Sequence, residues 1–158
     1  MVNMRPRSRH LAHLSASASQ PIVFLTVTTW NRARCLDNPA AHRLLHDLWA
    51  QSGERNGWFV GDYVLMPDHA HLFVRAAQTA MPLSDWVKLW KSMSSRQLKE
   101  ERPADSALWQ ADYFDRFVRS GESYAEKWAY VNANPVRARL VDRPGDWPYQ
   151  GRIHRLEG

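Results

Sequence analysis

The sequence contains a single cysteine and no long apolar segment, and each shortage excludes a class of protein. Cys35 is the only cysteine among 158 residues, so the chain can form no internal disulfide and no cysteine-based zinc site, which fits a reducing compartment. No apolar run approaches the roughly 20 residues of a membrane-spanning helix, and residues 1–20 lack the continuous apolar segment of a secretory signal. We therefore expect a cytoplasmic protein with no membrane partner.

Several common catalytic motifs are also missing, whereas positive charge and tryptophan are abundant. The sequence has no glycine-rich phosphate loop and no nucleophile elbow. Its 21 lysines and arginines exceed its 16 acidic residues, and it has eight tryptophans. A basic chain suits a polyanionic partner, most often a nucleic acid, and flat aromatic side chains can stack on unpaired bases. A solvated basic tail and a tryptophan-rich core explain the same counts, so composition leaves both interpretations open.

The length is that of one domain with a sizeable core. Residues 1–20 are rich in arginine and serine without periodicity, and we expect a mobile basic arm that either follows phosphate or is merely solvated. Residues 21–150 are predicted to form the folded domain and residues 151–158 a C-terminal tail.

Hydrophobic periodicity and turn residues predict the element order β-α-β-β-α-β-α. The predicted elements are a strand over 21–30, a helix from Asn38 to about 53, strands over 57–66 and 69–76, a helix from Pro82 to about 99, an irregular strand over 108–118, and a helix from 122 to about 133. Residues 142–158 are predicted to be rich in loops. The order indicates an α+β fold, a ferredoxin-like split βαβ antiparallel sheet with an added C-terminal helix. Strands one and three would be central, and the sheet face opposite the helices would be free for a ligand.

Two histidines follow the Pro67-Asp68 turn between the second and third strands. Because side chains alternate along a strand, His69 and His71 point to the same face with α-carbons roughly 7 Å apart. Imidazoles at this spacing can share one metal ion, although two exposed histidines without function would give the same pattern. Asp68 could add a ligand, but forming the turn is its more ordinary role.

A second pair of polar residues lies on the predicted last helix. Tyr130 and Asn134 are four residues apart, which places them on one helical face. Tyr130 is a candidate nucleophile that needs help from a metal or a base, because a free phenol has a pKa of about 10. Asn134 offers a hard oxygen ligand that suits Mg²⁺ or Mn²⁺ better than zinc. Packing of Tyr130 in the core and capping by Asn134 before Pro135 would explain both residues without any chemistry.

Weaker candidates are basic and aromatic side chains elsewhere in the chain. A phosphate track could include Lys88, Lys91, Arg96, Arg116 and Arg119, and further candidate DNA contacts are Arg32, Arg34, Arg137 and Arg152. Trp109, Tyr113 and Phe114 could stack on bases, although buried aromatics are common on strands. A solvated surface explains any single basic residue.

Three sequence blocks resemble the REP-associated tyrosine transposases, which belong to the IS200-like, single-tyrosine HUH transposase group. They are residues 63–72 (YVLMPDHAHL), 108–115 (LWQADYFD) and 130–141 (YVNANPVRARLV). Residues 26–32 on the first strand are similar as well, and the resemblance covers about residues 21–150. The chain departs at Arg139, where family members often have glycine, and at Val131, where they often have isoleucine.

The resemblance implies a ferredoxin-like fold and an enzyme that cleaves and rejoins single-stranded DNA near hairpins through a 5′-phosphotyrosine. It implies that His69 and His71 are metal ligands for Mg²⁺ or Mn²⁺, that Tyr130 is the nucleophile and that Asn134 completes the metal site. The basic arm and tail would contact DNA. The sequence leaves open whether the protein is a monomer or a homodimer. Two other interpretations stay open: a catalytically inactive DNA- or RNA-binding module on the same fold, and a metal-dependent hydrolase of small phosphoesters.

Overall fold

The computed structural model describes residues 20–100, 107–118 and 124–156. In chain order the strands and helices are β1 (Ile22–Thr28), α1 (Pro39–Asn56), β2 (Trp58–Met66), β3 (His69–Ala76), α2 (Leu83–Gln97), β4 (Phe114–Phe117), α3 (Tyr124–Asn132), α4 (Asn134–Arg137) and β5 (Gln150–Arg152). Apart from Gln20, the predicted basic arm lies outside the described residues. Within the described ranges, no helix is both long and apolar enough to cross a membrane.

The five strands form one antiparallel sheet in the order β4-β1-β3-β2-β5. The predicted ferredoxin-like arrangement is confirmed, because β1 and β3 are adjacent inside the sheet and β2 and β4 flank them. The added helix α3 is present as well. This topology places the histidine strand β3 at the centre of the sheet.

Residues 142–156 are loop-rich, as expected, apart from the three-residue strand β5, which pairs with β2, and the backbone N–H of Ile153 also donates to the carbonyl of Gly61 at 3.1 Å. One prediction of local structure was wrong. The fourth strand is much shorter than the predicted 108–118. Trp109 and Tyr113 turn into the core instead of extending the strand, and one bridge, from Thr29 to Trp109, remains there.

The bounds of helix α1 follow from its flanking residues. The side chain of Asn38 accepts from the backbone N–H of Ala41 at 2.9 Å, and Pro39 occupies the first turn, as predicted. The helix continues three residues beyond the predicted Gly53. It ends at Gly57, whose φ of 83° is a left-handed conformation that glycine adopts without strain.

Both faces of the sheet are covered by apolar side chains. On one face, α1 and α2 pack against the sheet around residues such as Leu25, Leu72 and Trp49. On the other face, Phe24 and Phe73 pack against α3 and the C-terminal segment. The prediction of a free second face was therefore wrong over part of the sheet. The physical reason is that side chains alternate along a strand, so Phe24 and Phe73 point away from the face that α1 and α2 cover. Without a second cover, both rings would be exposed to water.

Candidate active site

The two histidines lie side by side at the start of β3. Their ring centres are 4.6 Å apart with nearly perpendicular planes. Ala70 between them points to the other face and is fully buried, as predicted. The ring of His71 also stacks on Phe24 of the neighbouring strand, with ring centres 5.3 Å apart. The pair is thus held on the sheet face that α3 covers in part.

The turn that precedes the histidines is anchored by the segment after β1. The carbonyl of Pro67 accepts from the backbone N–H groups of Cys35 and Leu36 at 2.9 and 3.1 Å, and the carbonyl of Asp68 accepts from the N–H of Thr29 at 3.0 Å. The hydroxyl of Thr29, a buried residue, donates to the same Asp68 carbonyl at 3.0 Å. These bonds fix the backbone from which the side chain of His69 projects.

Each imidazole is oriented through its Nδ1 atom. Nδ1 of His69 lies 2.7 Å from Oδ1 of Asp68, and Nδ1 of His71 lies 2.9 Å from Oγ1 of Thr26. Such partners orient metal-binding histidines and leave Nε2 for the metal. Sequence reasoning missed Thr26, and it treated Asp68 as a ligand or a turn residue rather than as a partner of His69. No local signal in the sequence could have identified Thr26, because its contact with His71 depends on the register of β1 on β3.

The charges around the histidines favour a neutral His71 and an ionised Asp68. Burial, followed by the positive charges of His69 and Arg137, lowers the pKa of His71 to about 3. A neutral imidazole keeps the nitrogen lone pair that a metal ion requires. Burial alone would raise the pKa of Asp68, but its hydrogen bond with His69 and the charges of His69 and Arg32 hold that pKa below its usual value. Asp68 is therefore a carboxylate at neutral pH.

Helix α3 covers the sheet next to the histidines. Tyr124 and Trp128 pack on Phe73, with ring centres 4.9 and 6.2 Å from that ring. Nζ of Lys127 lies 6.0 Å from the ring centre of Phe24, and Phe24 is the residue on which His71 stacks. The helix that carries Tyr130 is therefore packed against the immediate neighbours of His71.

Tyr130 and Asn134 come together on this helical segment. Ala133 keeps right-handed helical angles (φ −83°, ψ −3°) between α3 and α4, so the four-residue spacing still places both side chains on one side despite Pro135. Arg137 links them, since it donates to the main-chain oxygen of Tyr130 at 2.9 Å and to Oδ1 of Asn134. Tyr130 is 68% exposed, which excludes the alternative that it packs in the core.

Helix α3, which carries Tyr130, thus packs on the sheet face where the two histidines lie. His69 and His71 form one group, Tyr130 and Asn134 form the other, and the charge of Arg137 acts on His71. No group of three His, Cys, Asp or Glu side chains in the described ranges is arranged to hold a metal ion.

Among the described residues, the other predicted DNA contacts are divided between the two faces of the sheet and its edges. Two of them lie on the histidine face or at its edge. Arg32 pairs with Asp68 at 2.9 Å, and Arg116 lies opposite Phe24 in the sheet register. Lys88, Lys91 and Arg96 lie on α2, which packs on the opposite face. Arg34 is exposed in the loop before α1, Arg152 of β5 pairs with Asp62 at 3.2 Å, and Arg119 lies outside the described residues.

The predicted base-stacking residues separate into two groups. Trp109 and Tyr113 are buried in the core, and Nε1 of Trp109 donates to the hydroxyl of Ser94 at 2.8 Å. A stacking role is therefore wrong for these two residues. Phe114 is 49% exposed and lies opposite Thr26 in the sheet register, on the same face as His71.

Comparison with known families identifies the class of protein to which this chain belongs. Residues 18–134 match the family described as Transposase IS200 like. The match covers well over half of the chain, and the protein belongs to the IS200-like transposase family.

Individual relatives agree with this family. A Haemophilus influenzae protein described as a REP-associated tyrosine transposase is 26% identical over 100 residues, which are 58% of this chain and 56% of that protein. The chain therefore matches little more than half the length of this relative.

Two solved structures share the fold. A REP-associated tyrosine transposase bound to a REP hairpin superposes with a TM-score of 0.68 and 18% identity, over 82% of this chain and 75% of the other. A protein of Deinococcus radiodurans R1 described as a transposase superposes with a TM-score of 0.52 and 24% identity, over 70% of this chain and 87% of the other. At these identities the superpositions establish a common fold.

Proposed function

We propose that this protein is a single-tyrosine DNA strand transferase that cleaves single-stranded DNA beside hairpins and holds the cut end as a 5′-phosphotyrosine. Membership of the IS200-like transposase family supports the reaction class. The relatives described as REP-associated tyrosine transposases, one of them bound to a REP hairpin, support hairpin DNA as the partner. The observation in this chain that carries the proposal is the exposed Tyr130 beside Asn134, on a helix packed against the neighbours of His71.

Tyr130 is the tyrosine best suited to attack a phosphate among the five in the chain. Tyr63, Tyr113 and Tyr124 are at most 8% exposed, and Tyr149 is half-buried. Burial raises the pKa of Tyr63 to about 12, which disfavours the phenolate. A nucleophile must reach a phosphorus atom held in solvent-accessible DNA, and the exposed ring of Tyr130 meets that requirement.

The donor set fits a divalent cation. His71 is neutral, both histidines are oriented through Nδ1, and the amide oxygen of Asn134 adds a hard ligand. We infer that His69, His71 and Asn134 would hold Mg²⁺ or Mn²⁺. When bound, the ion would supply positive charge that stabilises the negative charge developing on the scissile phosphate.

The chain itself supplies the nucleophile for a balanced phosphoryl transfer. The Tyr130 hydroxyl gives its proton to solvent, and its oxygen attacks phosphorus in line with the leaving 3′ oxygen. The bond from phosphorus to the 3′ oxygen breaks, and that oxygen takes up a proton and leaves as a 3′-hydroxyl. A 3′-hydroxyl of another DNA end can attack the phosphotyrosine in the reverse sense and rejoin the strand. Because the phosphotyrosine retains the energy of the broken phosphodiester, the exchange needs no ATP.

Substitution of the nucleophile tests this proposal. With a labelled hairpin flanked by single strands and Mn²⁺ present, we expect Tyr130→Phe to form no covalent adduct on a denaturing gel while still binding the DNA. The matched control is Tyr149→Phe, which removes a hydroxyl from a half-buried tyrosine and should form adduct as the wild type does. Undiminished adduct formation by Tyr130→Phe would overturn the assignment of the nucleophile.

A second substitution separates an enzyme from a binding module that uses the same fold. We expect His69→Ala to retain its thermal transition and its DNA binding but to lose Mn²⁺-dependent cleavage. Hairpin binding by the wild type without any metal-dependent cleavage, across several hairpin substrates, would instead support a catalytically inactive module.

A further inference from the structure

Arg137 contacts both residues of the tyrosine half of the proposed site. Its Nη2 donates to the main-chain oxygen of Tyr130 at 2.9 Å and to Oδ1 of Asn134. Its guanidinium carbon also lies 4.1 Å from the ring centre of Tyr130. A single side chain therefore contacts the ring and backbone of one residue and the amide of the other.

The short helix α4 places Arg137 where these contacts are made. Tyr130 and Arg137 are seven residues apart, about two helical turns, so they share a side only if the chain remains helical between them. The helical angles of Ala133 and the hydrogen bond from the N–H of Arg137 to the carbonyl of Ala133 at 3.0 Å keep it helical. The arrangement therefore depends on the backbone as well as on a side-chain rotamer.

Arginine suits this combination of contacts better than lysine, because one planar group both stacks on the Tyr130 ring and donates to two oxygens. A guanidinium is planar, stacks on aromatic faces and offers several N–H donors in a fixed fork, whereas a lysine ammonium does none of the three. An exposed tyrosine ring otherwise changes rotamer on the picosecond-to-nanosecond timescale. An amide oxygen has two lone pairs, so the bond from Arg137 orients the Asn134 amide and leaves a lone pair for a ligand.

We propose that Arg137 is a positioning residue that holds the Tyr130 ring and the Asn134 amide oxygen in the arrangement used for attack on DNA. This inference rests on the proposed function of Tyr130 and Asn134. It differs from a simple phosphate contact, in which only the positive charge would matter. The two roles predict different behaviour for lysine at this position, because lysine keeps the charge and loses the planar fork.

Fluorine NMR tests the contact in the full-length protein without DNA. With 3-fluorotyrosine at position 130, we expect Arg137→Gln and Arg137→Lys to move the signal towards that of an unrestrained fluorotyrosine. The matched control is Arg139→Gln, which removes the same charge from an exposed residue two positions further along. A signal that is identical in wild type and Arg137→Gln would overturn the proposal.

Single-turnover kinetics test the role in the reaction. At saturating hairpin DNA, we expect Arg137→Gln and Arg137→Lys to slow adduct formation about 100-fold, the loss typical of a misplaced reacting group, with nearly wild-type Kd. A wild-type rate in Arg137→Lys would show that the positioning role is wrong. The same conclusion would follow if Arg137→Gln kept the wild-type rate but raised Kd and reduced the salt dependence of DNA binding by about one ion. A wild-type protein that forms no adduct would contradict the proposed function, whereas the fluorine signal would still decide whether Arg137 holds the ring.

Discussion

Replacing Asp68 with asparagine tests whether the histidine pair is built as a metal site. Oδ1 of Asp68 lies 2.7 Å from Nδ1 of His69, and Oδ2 accepts from Nε of Arg32 at 2.9 Å. Asparagine keeps the shape of the side chain but removes the negative charge that orients and strengthens the imidazole as a ligand. We expect Asp68→Asn to weaken divalent-metal binding without unfolding the protein.

The size of the effect follows from the type of contact. Loss of a carboxylate partner of a metal-binding histidine typically weakens metal affinity by about 10- to 100-fold, or about 1.4–2.8 kcal/mol. The Arg32–Asp68 pair should contribute much less, because the Arg32 side chain is 62% exposed and such pairs are worth at most about 1 kcal/mol. Arg32→Gln is therefore expected to weaken binding by less than about fivefold.

Mn²⁺ titration of the full-length protein, followed by electron paramagnetic resonance, measures this affinity directly. The matched control is Asp47→Asn, because Asp47 also lies beside an imidazole, at 3.1 Å from its sequence neighbour His46 on α1, but at an exposed site. Wild-type Mn²⁺ affinity in Asp68→Asn, or an equal loss in Asp47→Asn, would refute the reasoning.

Two further predictions concern the stability of the fold around the site. Arg139 has a φ of 62°, a left-handed conformation that costs about 1 kcal/mol for a residue with a side chain. Arg139→Gly should therefore raise Tm by about 2–4 °C in a thermal melt. Arg139→Ala, which removes the guanidinium and its stem but keeps the strained Cβ, should not. At Gly57, with φ 83°, an added Cβ would lie 2.5 Å from the Cα of Ala80, so Gly57→Ala should lower the free energy of unfolding in urea by at least about 1–2 kcal/mol. Gly145→Ala is its control, since an added Cβ there meets no atom within 4 Å; equal urea midpoints for the two alanine variants would show that the close approach at Gly57 does not matter.

The histidine strand could be predicted from the sequence because its signals are local. The Pro67-Asp68 turn marks its start, and the alternation from His69 onward fixes which side chains share a face; the predicted bounds of 69–76 are the observed ones. The same holds for α1, whose capping by Asn38 depends only on residues within one turn.

Features that depend on distant pairing could not be predicted. The contact between Thr26 and His71 requires the register of β1 on β3, across 45 positions of sequence. Strand β5 has the sequence Gln-Gly-Arg, which carries no strand pattern; it forms because it pairs with β2, next to the bond from Nε1 of Trp147 to the carbonyl of Leu65 at 2.9 Å.

One long-range feature, the cover over the histidine face, does have a signal in the sequence. Phe24 and Phe73 lie between strand residues whose side chains face the core formed with α1 and α2. The opposite face of the sheet therefore carries large apolar side chains that need a cover. The stripe of Tyr124, Trp128 and Val131 on the following helix was suited to supply it. Combining these two patterns would have predicted that the helix carrying Tyr130 lies on the histidine face.

The most direct test of the central claim is to identify the amino acid that becomes linked to DNA. The wild-type protein would be incubated with a single-strand-flanked hairpin and Mn²⁺, and the adduct would be digested and sequenced by tandem mass spectrometry. We predict one linkage, a 5′-phosphate ester on the oxygen of Tyr130. Cleavage with no covalent intermediate, or a linkage to any other residue, would contradict the proposed mechanism.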